Sequence, residues 1–150
     1  MSSNLKEMIQ RLREEPRISQ LRHYFKCYPL TLSCIAAICY LSLFFEAPRT
    51  SLDDVPFIDK WVHVCMYGGL GTLIWVEYLR RHIVLQPLRL CIGSILLPIL
   101  MSALLEILQE VCTPDRNGDW LDLVANSVGV LIAAAMGYGV WRPFLHHLHT

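Results

Sequence analysis

Four long apolar segments with few ionisable residues dominate this 150-residue chain. They cover residues 28–45, 61–79, 88–108 and 120–141. An α-helix of about 20 residues is roughly 30 Å long, which matches the hydrocarbon thickness of a bilayer. With 54% hydrophobic and 17% charged residues, the chain is also more apolar than an ordinary soluble domain. The sequence therefore predicts an all-α fold, an integral membrane bundle of four transmembrane helices.

The remaining residues divide the chain into three parts. In residues 1–26, apolar residues recur at helical spacing and basic side chains surround them. This pattern predicts a cytoplasmic amphipathic segment whose helix lies on the inner leaflet. Binding to a partner is the alternative role of this segment. Residues 27–141 form the predicted transmembrane domain. Its first segment is interpreted as an uncleaved anchor, because no small-residue cleavage pattern follows it. Residues 142–150 form a cytoplasmic tail. The amphipathic pattern consists of Leu5, Met8, Ile9 and Leu12.

The lysines and arginines are distributed unevenly between the two sides of the predicted bundle. Ten of the 13 lie in the N-terminal segment, the second connecting loop and the tail, and three lie in the first and third loops. Cytoplasmic loops of membrane proteins carry the excess of basic residues. Both termini are therefore predicted to be cytoplasmic, and loops 46–60 and 109–119 are predicted to face outward.

The cysteines and histidines do not form a disulfide or metal-binding motif. None of the six cysteines belongs to a CxxC pair, and five lie within or at the edge of an apolar segment. They are interpreted as small packing residues, and only Cys112 is predicted to face outward. The histidines of the tail, at a terminal position, do not favour a metal site; they are His146, His147 and His149. No metal ion and no cofactor is predicted.

Polar residues recur inside the apolar segments at helical spacing. Asp59 and His63 are four residues apart, as are Asp122 and Asn126, so each pair shares one face of its helix. Ionisable groups in a membrane helix cost roughly 2.5–3.5 kcal/mol on insertion scales and mark functional sites. In the predicted topology the outer surface is where the second and fourth helices start and where the third ends. The polar residues at these three helix ends should therefore lie at a similar depth. We call the predicted set the polar groove: Asp59, Lys60, His63, Tyr67, Glu106, Gln109, Arg116, Asp122 and Asn126.

Small residues follow the polar pair along the fourth segment. Ala125, Gly129, Ala133 and Gly137 repeat every fourth residue and therefore lie on one face of the predicted helix. Such a stripe lets the backbones of two membrane helices approach closely. The face that carries Asp122 is thus predicted to pack against a neighbouring helix.

The polar residues also form an ordered series of motifs. These are Asp59-Lys60-x-x-His63-x-x-x-Tyr67, Glu106-x-x-Gln109, Pro114-x-Arg116 and Asp122-x-x-x-Asn126-x-x-Gly129. With them the chain resembles the VanZ-like family of small bacterial membrane proteins over residues 57–140. The acidic Asp115 departs from the family pattern, in which a small residue precedes the arginine. The family is named after a member associated with low-level resistance to the glycopeptide teicoplanin. The resemblance therefore implies a cell-envelope role in the bacterial inner membrane and supplies no reaction.

Several functions fit the polar groove, and the sequence leaves them open. Arg116 and Lys60 favour binding of an anionic outer-leaflet lipid or cell-envelope precursor, to which the resemblance adds an effect on glycopeptide susceptibility. Asp59 could orient His63 for hydrolysis of lipid-linked phosphates, but no nucleophile or catalytic motif stands out, so enzymatic activity stays undecided. The same residues could also serve only to lock the helices together. Ion-coupled transport would require an oligomer, which the sequence allows, and no nucleic-acid partner is predicted.

Overall fold

The computed structural model of the protein describes residues 23–44, 55–82, 84–112 and 119–147. All regular secondary structure in these ranges is helical, which confirms the predicted all-α class. Helix α1 is Pro29–Leu43 and helix α2 is Ile58–Leu79. Helix α3 comprises Pro87–Cys91, a π-helical turn Ile92–Leu96, and Leu97–Cys112. Helix α4 comprises Trp120–Met136, a π-helical turn Gly137–Trp141, and Arg142–His147. The predicted amphipathic helix of residues 4–15 lies outside the described residues.

The π-helical turn of α3 stands directly before a proline. Pro98 has no N–H to donate to the carbonyl of Ser94, and its ring crowds that carbonyl. A wider turn over Ile92–Leu96 moves the carbonyl away from the ring, so that the helix continues to Cys112. The third apolar segment is therefore one long helix with a local widening.

Helices α2 and α4 run parallel and form the closest interface of the bundle. A Cβ atom added to Gly129 would collide with the carbonyl oxygen of Val64 and lie 2.9 Å from the backbone nitrogen of Gly68. One turn further on, a Cβ atom on Gly71 would lie 2.7 Å from the Cβ of Ala133. The two backbones approach this closely because glycine and alanine leave room between them. The stripe predicted from sequence therefore lies against α2.

Two clusters of buried apolar side chains fill the space between the helices. One surrounds Tyr67, Leu70 and Val130, which are at most 2% exposed. The other lies at the opposite end of the bundle, where Trp75 and Tyr78 pack with Leu145. Together the clusters hold α2 in the centre, in contact with each of the other three helices.

Helix α1 is attached to α2 and α3 by polar contacts at its two ends. Both carboxylate oxygens of Glu77, a residue that is only 6% exposed, accept hydrogen bonds of 3.0 Å from the backbone N–H groups of Leu30 and Thr31. These donors belong to the first turn of α1, where no residue of the helix itself supplies a cap. At the other end, Gln109 of α3 donates to the carbonyl of Ser42 at 2.8 Å.

Two of the four helices are long and apolar enough to cross a membrane. They are α3, over Pro87–Cys112, and α4, over Trp120–Leu145. Only 28% and 33% of their most apolar stretches are buried inside the bundle. Helix α1 is apolar but has 15 residues, and α2 carries Asp59, Lys60 and Glu77. The described helices thus weakly indicate a membrane protein, and the count of four transmembrane helices stays a prediction.

Candidate functional site

A lysine near the start of α2 connects that helix to the start of α4. The Nζ atom of Lys60 lies 2.6 Å from Oδ2 of Asp119, 2.6 Å from Oδ1 of Asp122 and 2.9 Å from Oδ2 of Asp59. The side chains of Lys60 and Asp122 are 18% and 16% exposed, whereas that of Asp59 is 61% exposed. The charge of the ammonium group is therefore matched by three carboxylates, two of which come from α4 and the residue before it.

Two of the aspartates that contact Lys60, Asp119 and Asp122, also stabilise the start of helix α4. Asp119 is the N-cap residue, and its side chain accepts a 2.9 Å hydrogen bond from the backbone N–H of Leu121. Asp122 lies in the first turn, where a negative charge is favoured by the helix dipole. Hydrogen bonds from Lys60 and from the Leu121 N–H hold the pKa of the Asp119 carboxyl below its ordinary value. The aspartates thus start the helix and bind the lysine at the same time.

One turn deeper, a chain of hydrogen bonds crosses from α2 through α4 to α3. Nδ1 of His63 lies 3.1 Å from Oδ1 of Asn126, and Nδ2 of Asn126 donates to Oγ of Ser102 at 2.7 Å. With the amide nitrogen of Asn126 donating to Ser102, its oxygen is left to accept a hydrogen bond from Nδ1–H of His63. Asn126 and Ser102 are at most 1% exposed. This chain holds the imidazole of His63 in place and favours the tautomer that carries its proton on Nδ1.

The other nitrogen of the imidazole faces two carboxylates. Nε2 of His63 lies 3.5 Å from Oδ2 of Asp122. His63, Glu106 and Asp122 each offer one potential ligand atom, a ring nitrogen or a carboxylate oxygen. These three atoms lie within 4.8 Å of one another. Glu106 is positioned from α3, where it accepts a 3.2 Å hydrogen bond from the backbone N–H of Asp119. Three helices therefore converge on one half-buried point.

The structure brings together most of the predicted polar groove. Asp59, Lys60, His63, Glu106, Asp122 and Asn126 lie in one connected set. Tyr67 is buried one turn further along α2, whereas Gln109 is directed to α1. Arg116 lies outside the described residues.

Sequence reasoning missed two members of the site, Asp119 and Ser102. Asp119 immediately precedes the fourth apolar segment, and an aspartate at that position is a typical N-cap signal. Ser102 stands four residues before Glu106 and therefore lies on the same face of α3. Both signals were available, but Asp119 precedes the apolar segment rather than lying within it, and Ser102 is a small uncharged side chain.

The described part of the groove is acidic. Asp59, Glu106, Asp119 and Asp122 supply four carboxylates against the single ammonium of Lys60, so with neutral His63 the net charge is −3 when all are ionised. An anion would have to bind next to these carboxylates. The expectation that Lys60 contributes to anion binding is therefore not supported by its contacts, because three carboxylates already surround it.

No family model, curated protein or solved structure matches this chain. The resemblance to the VanZ-like family accordingly stays a prediction based on the sequence motifs.

Proposed function

We propose that this chain is a VanZ-like integral membrane protein with four transmembrane helices. The apolar face that α3 presents to its surroundings supports this proposal, since its large side chains recur every three or four residues and are each more than half exposed. In a soluble protein such a helix would be mostly buried, and lipid is the environment that this face fits. The residues of the face are Leu97, Leu100, Leu104, Ile107 and Val111.

The distribution of charge supports an orientation with the polar groove outside. The groove lies where α2 and α4 begin and α3 ends. Arg80 and Arg81 follow α2 at the opposite end, and Arg89 lies in the first turn of α3 there. All three are exposed, as expected for residues at a cytoplasmic surface.

Two native cysteines at the ends of α3 test this orientation. Cys112 ends the helix at the groove, Cys91 lies at the other end, and both are exposed. In variants that keep only one of them, a membrane-impermeant maleimide added to intact spheroplasts is expected to label Cys112, and to label Cys91 only after permeabilisation. Labelling of Cys91 but not Cys112 would contradict the outward orientation. The other cysteines are replaced by serine or alanine: Cys27, Cys34, Cys39 and Cys65.

The groove is proposed to hold the headgroup of an outer-leaflet lipid or a cell-envelope precursor. The observation that carries this proposal is the convergence of His63, Glu106 and Asp122 from three helices at one end of the bundle, where headgroups would lie on the proposed topology. All three side chains are only partly buried, so a polar group can reach them from outside. Arg116 belongs to the proposed groove as the residue whose guanidinium would bind an anionic headgroup. An effect on glycopeptide susceptibility is a further proposal that rests on the family resemblance.

Lipid binding is testable by the composition of the lipid that purifies with the protein. Extraction in a mild detergent followed by mass spectrometry is expected to show one anionic headgroup class enriched over the total membrane extract. Arg116→Ala is expected to reduce this enrichment at least fivefold, because it removes the bidentate donor. Arg89→Ala, at the opposite end of α3, serves as the matched control and should keep the enrichment. Equal enrichment in both variants would contradict a role for Arg116 in binding.

A structural role for the same residues is the second candidate, and a specific contact favours it. Lys60 connects the starts of α2 and α4, and Asn126 connects His63 to Ser102. Hydrogen bonds between membrane helices contribute about 0.6–2 kcal/mol each, so this network stabilises the bundle even without a ligand. Hydrolysis with Ser102 as the nucleophile is not supported, because its hydroxyl is completely buried and accepts from Asn126.

A further inference from the structure

We propose that His63, Glu106 and Asp122 form a binding site for a divalent transition-metal ion. The three ligands come from α2, α3 and α4 and lie at one end of the bundle. This inference goes beyond lipid binding, and it does not depend on the identity of any lipid.

The distances between the three groups are close to those of a metal centre. Ligand atoms about 2.0–2.1 Å from a tetrahedral zinc ion lie about 3.4 Å from one another. Nε2 of His63 and Oδ2 of Asp122 are 3.5 Å apart, so an ion fits between them without movement of either helix. The whole set lies within 4.8 Å, and Glu106 has three side-chain torsions with which to close the remaining distance.

The hydrogen bonds of His63 prepare it as a ligand. Nδ1 of His63 lies 3.1 Å from Oδ1 of Asn126, which is in turn held by Ser102. When Nδ1 carries the proton and donates it to this bond, the lone pair of Nε2 faces Asp122. Histidines that bind metals almost always donate their second nitrogen in this way, because the bond fixes the ring and raises the basicity of the ligand.

The charge of the groove also fits a divalent cation. A net charge of −3 in the described part of the groove becomes −1 when a dication binds. Lys60 contacts Oδ1 of Asp122, while Oδ2 of the same carboxylate faces His63, so the ammonium and the metal use different oxygens. One imidazole and two carboxylates are a ligand set that suits zinc, manganese or iron(II).

Three protein ligands leave at least one coordination position open. A phosphate oxygen of a headgroup could occupy this position, and the acidic groove would then attract the phosphate through the metal. This step rests on the proposed function, whereas metal binding itself does not.

Metal binding is tested on the full chain in detergent, without a polyhistidine tag. His146, His147 and His149 are replaced by glutamine in every variant, so that the histidine-rich tail does not contribute. After treatment with a chelator, equilibrium dialysis against Zn²⁺ and elemental analysis are expected to give one zinc ion per chain. Co²⁺ in place of zinc is expected to produce the visible absorption bands of a low-symmetry site.

Two glutamates on α3 give the decisive comparison. Glu106→Gln keeps an oxygen that can accept from the Asp119 N–H but loses the carboxylate, and it is expected to weaken zinc binding at least tenfold. Glu110→Gln, one turn further along the same helix and exposed, is expected to bind as the parent does. His63→Gln should abolish the cobalt bands; if that variant does not fold, the comparison of the two glutamates decides. Equal zinc affinity in both glutamate variants, or no zinc bound by the parent, overturns the proposal. The assay contains no added lipid, so its result is independent of the lipid experiment.

Discussion

Gly129→Ala is expected to destabilise the protein by about 3 kcal/mol, at the upper end of the usual range for overpacking. The added methyl group would collide with the carbonyl oxygen of Val64 and stand 2.9 Å from the backbone nitrogen of Gly68. These are backbone atoms of α2, which cannot turn aside as a flexible side chain can. The only relief is separation of α2 from α4, which would also pull Lys60 away from Asp122.

The matched control for this substitution lies on the same helix. Gly139 has no atom within 4 Å of an added Cβ, so Gly139→Ala is expected to leave stability unchanged or to raise it slightly. The free energy of unfolding in detergent micelles, measured by circular dichroism, compares the two variants. Equal stability of Gly129→Ala and Gly139→Ala would contradict the close approach of α2 and α4.

Lys60→Met is expected to lower the free energy of unfolding by about 2 kcal/mol. Breaking a fully buried ion pair would cost more, but the ammonium of Lys60 is partly exposed. Methionine keeps much of the length and apolar contact of the lysine but removes its charge. The carboxylates of Asp119 and Asp122, each 2.6 Å from the ammonium in the native protein, would then face each other without a cation. The midpoint of thermal unfolding, followed in the same micelles, is the measurement.

A combined variant separates loss of the ion pair from loss of packing. Adding Asp122→Asn to Lys60→Met removes the carboxylate that would remain unpaired, and it should recover about half of the lost stability. If the combined variant is instead less stable by the sum of the two single effects, the charges do not interact as described. A Lys60→Met variant as stable as the native chain would show that this contact contributes nothing to the bundle.

The convergence of three helices on one end could be predicted because it depends on simple regularities. Helical periodicity places Asp59 with His63 and Asp122 with Asn126, and three consecutive spans must bring the start of α2, the end of α3 and the start of α4 to one side. The structure brings His63, Glu106 and Asp122 together at that end. Periodicity also identifies the small residues of α4, since only their spacing matters.

The partners of individual side chains could not be predicted in the same way. A helical periodicity gives the face on which Gln109 lies but not the neighbour of that face, and its amide contacts α1 at Ser42. Glu77 lies within an apolar segment, but only the position of α1 shows that its carboxylate caps another helix. The membership of His63, Glu106 and Asp122 in one groove could be predicted, but the short distances that suit a metal ion could not, because the residues lie on three helices and form no local motif.

The closest contact of α2 is with α4, which is not its neighbour in sequence, and this limits when the protein can be completed during synthesis. The carboxylates that bind Lys60 on α4 and at its N-cap are made 59 and 62 residues after the lysine itself. While a ribosome is still synthesising α3, the ammonium of Lys60 has only the exposed Asp59 of its own helix as a partner, and the groove face of α2 lacks its contacts with α4. Helix α4 therefore completes the groove only after α1, α2 and α3 have been made.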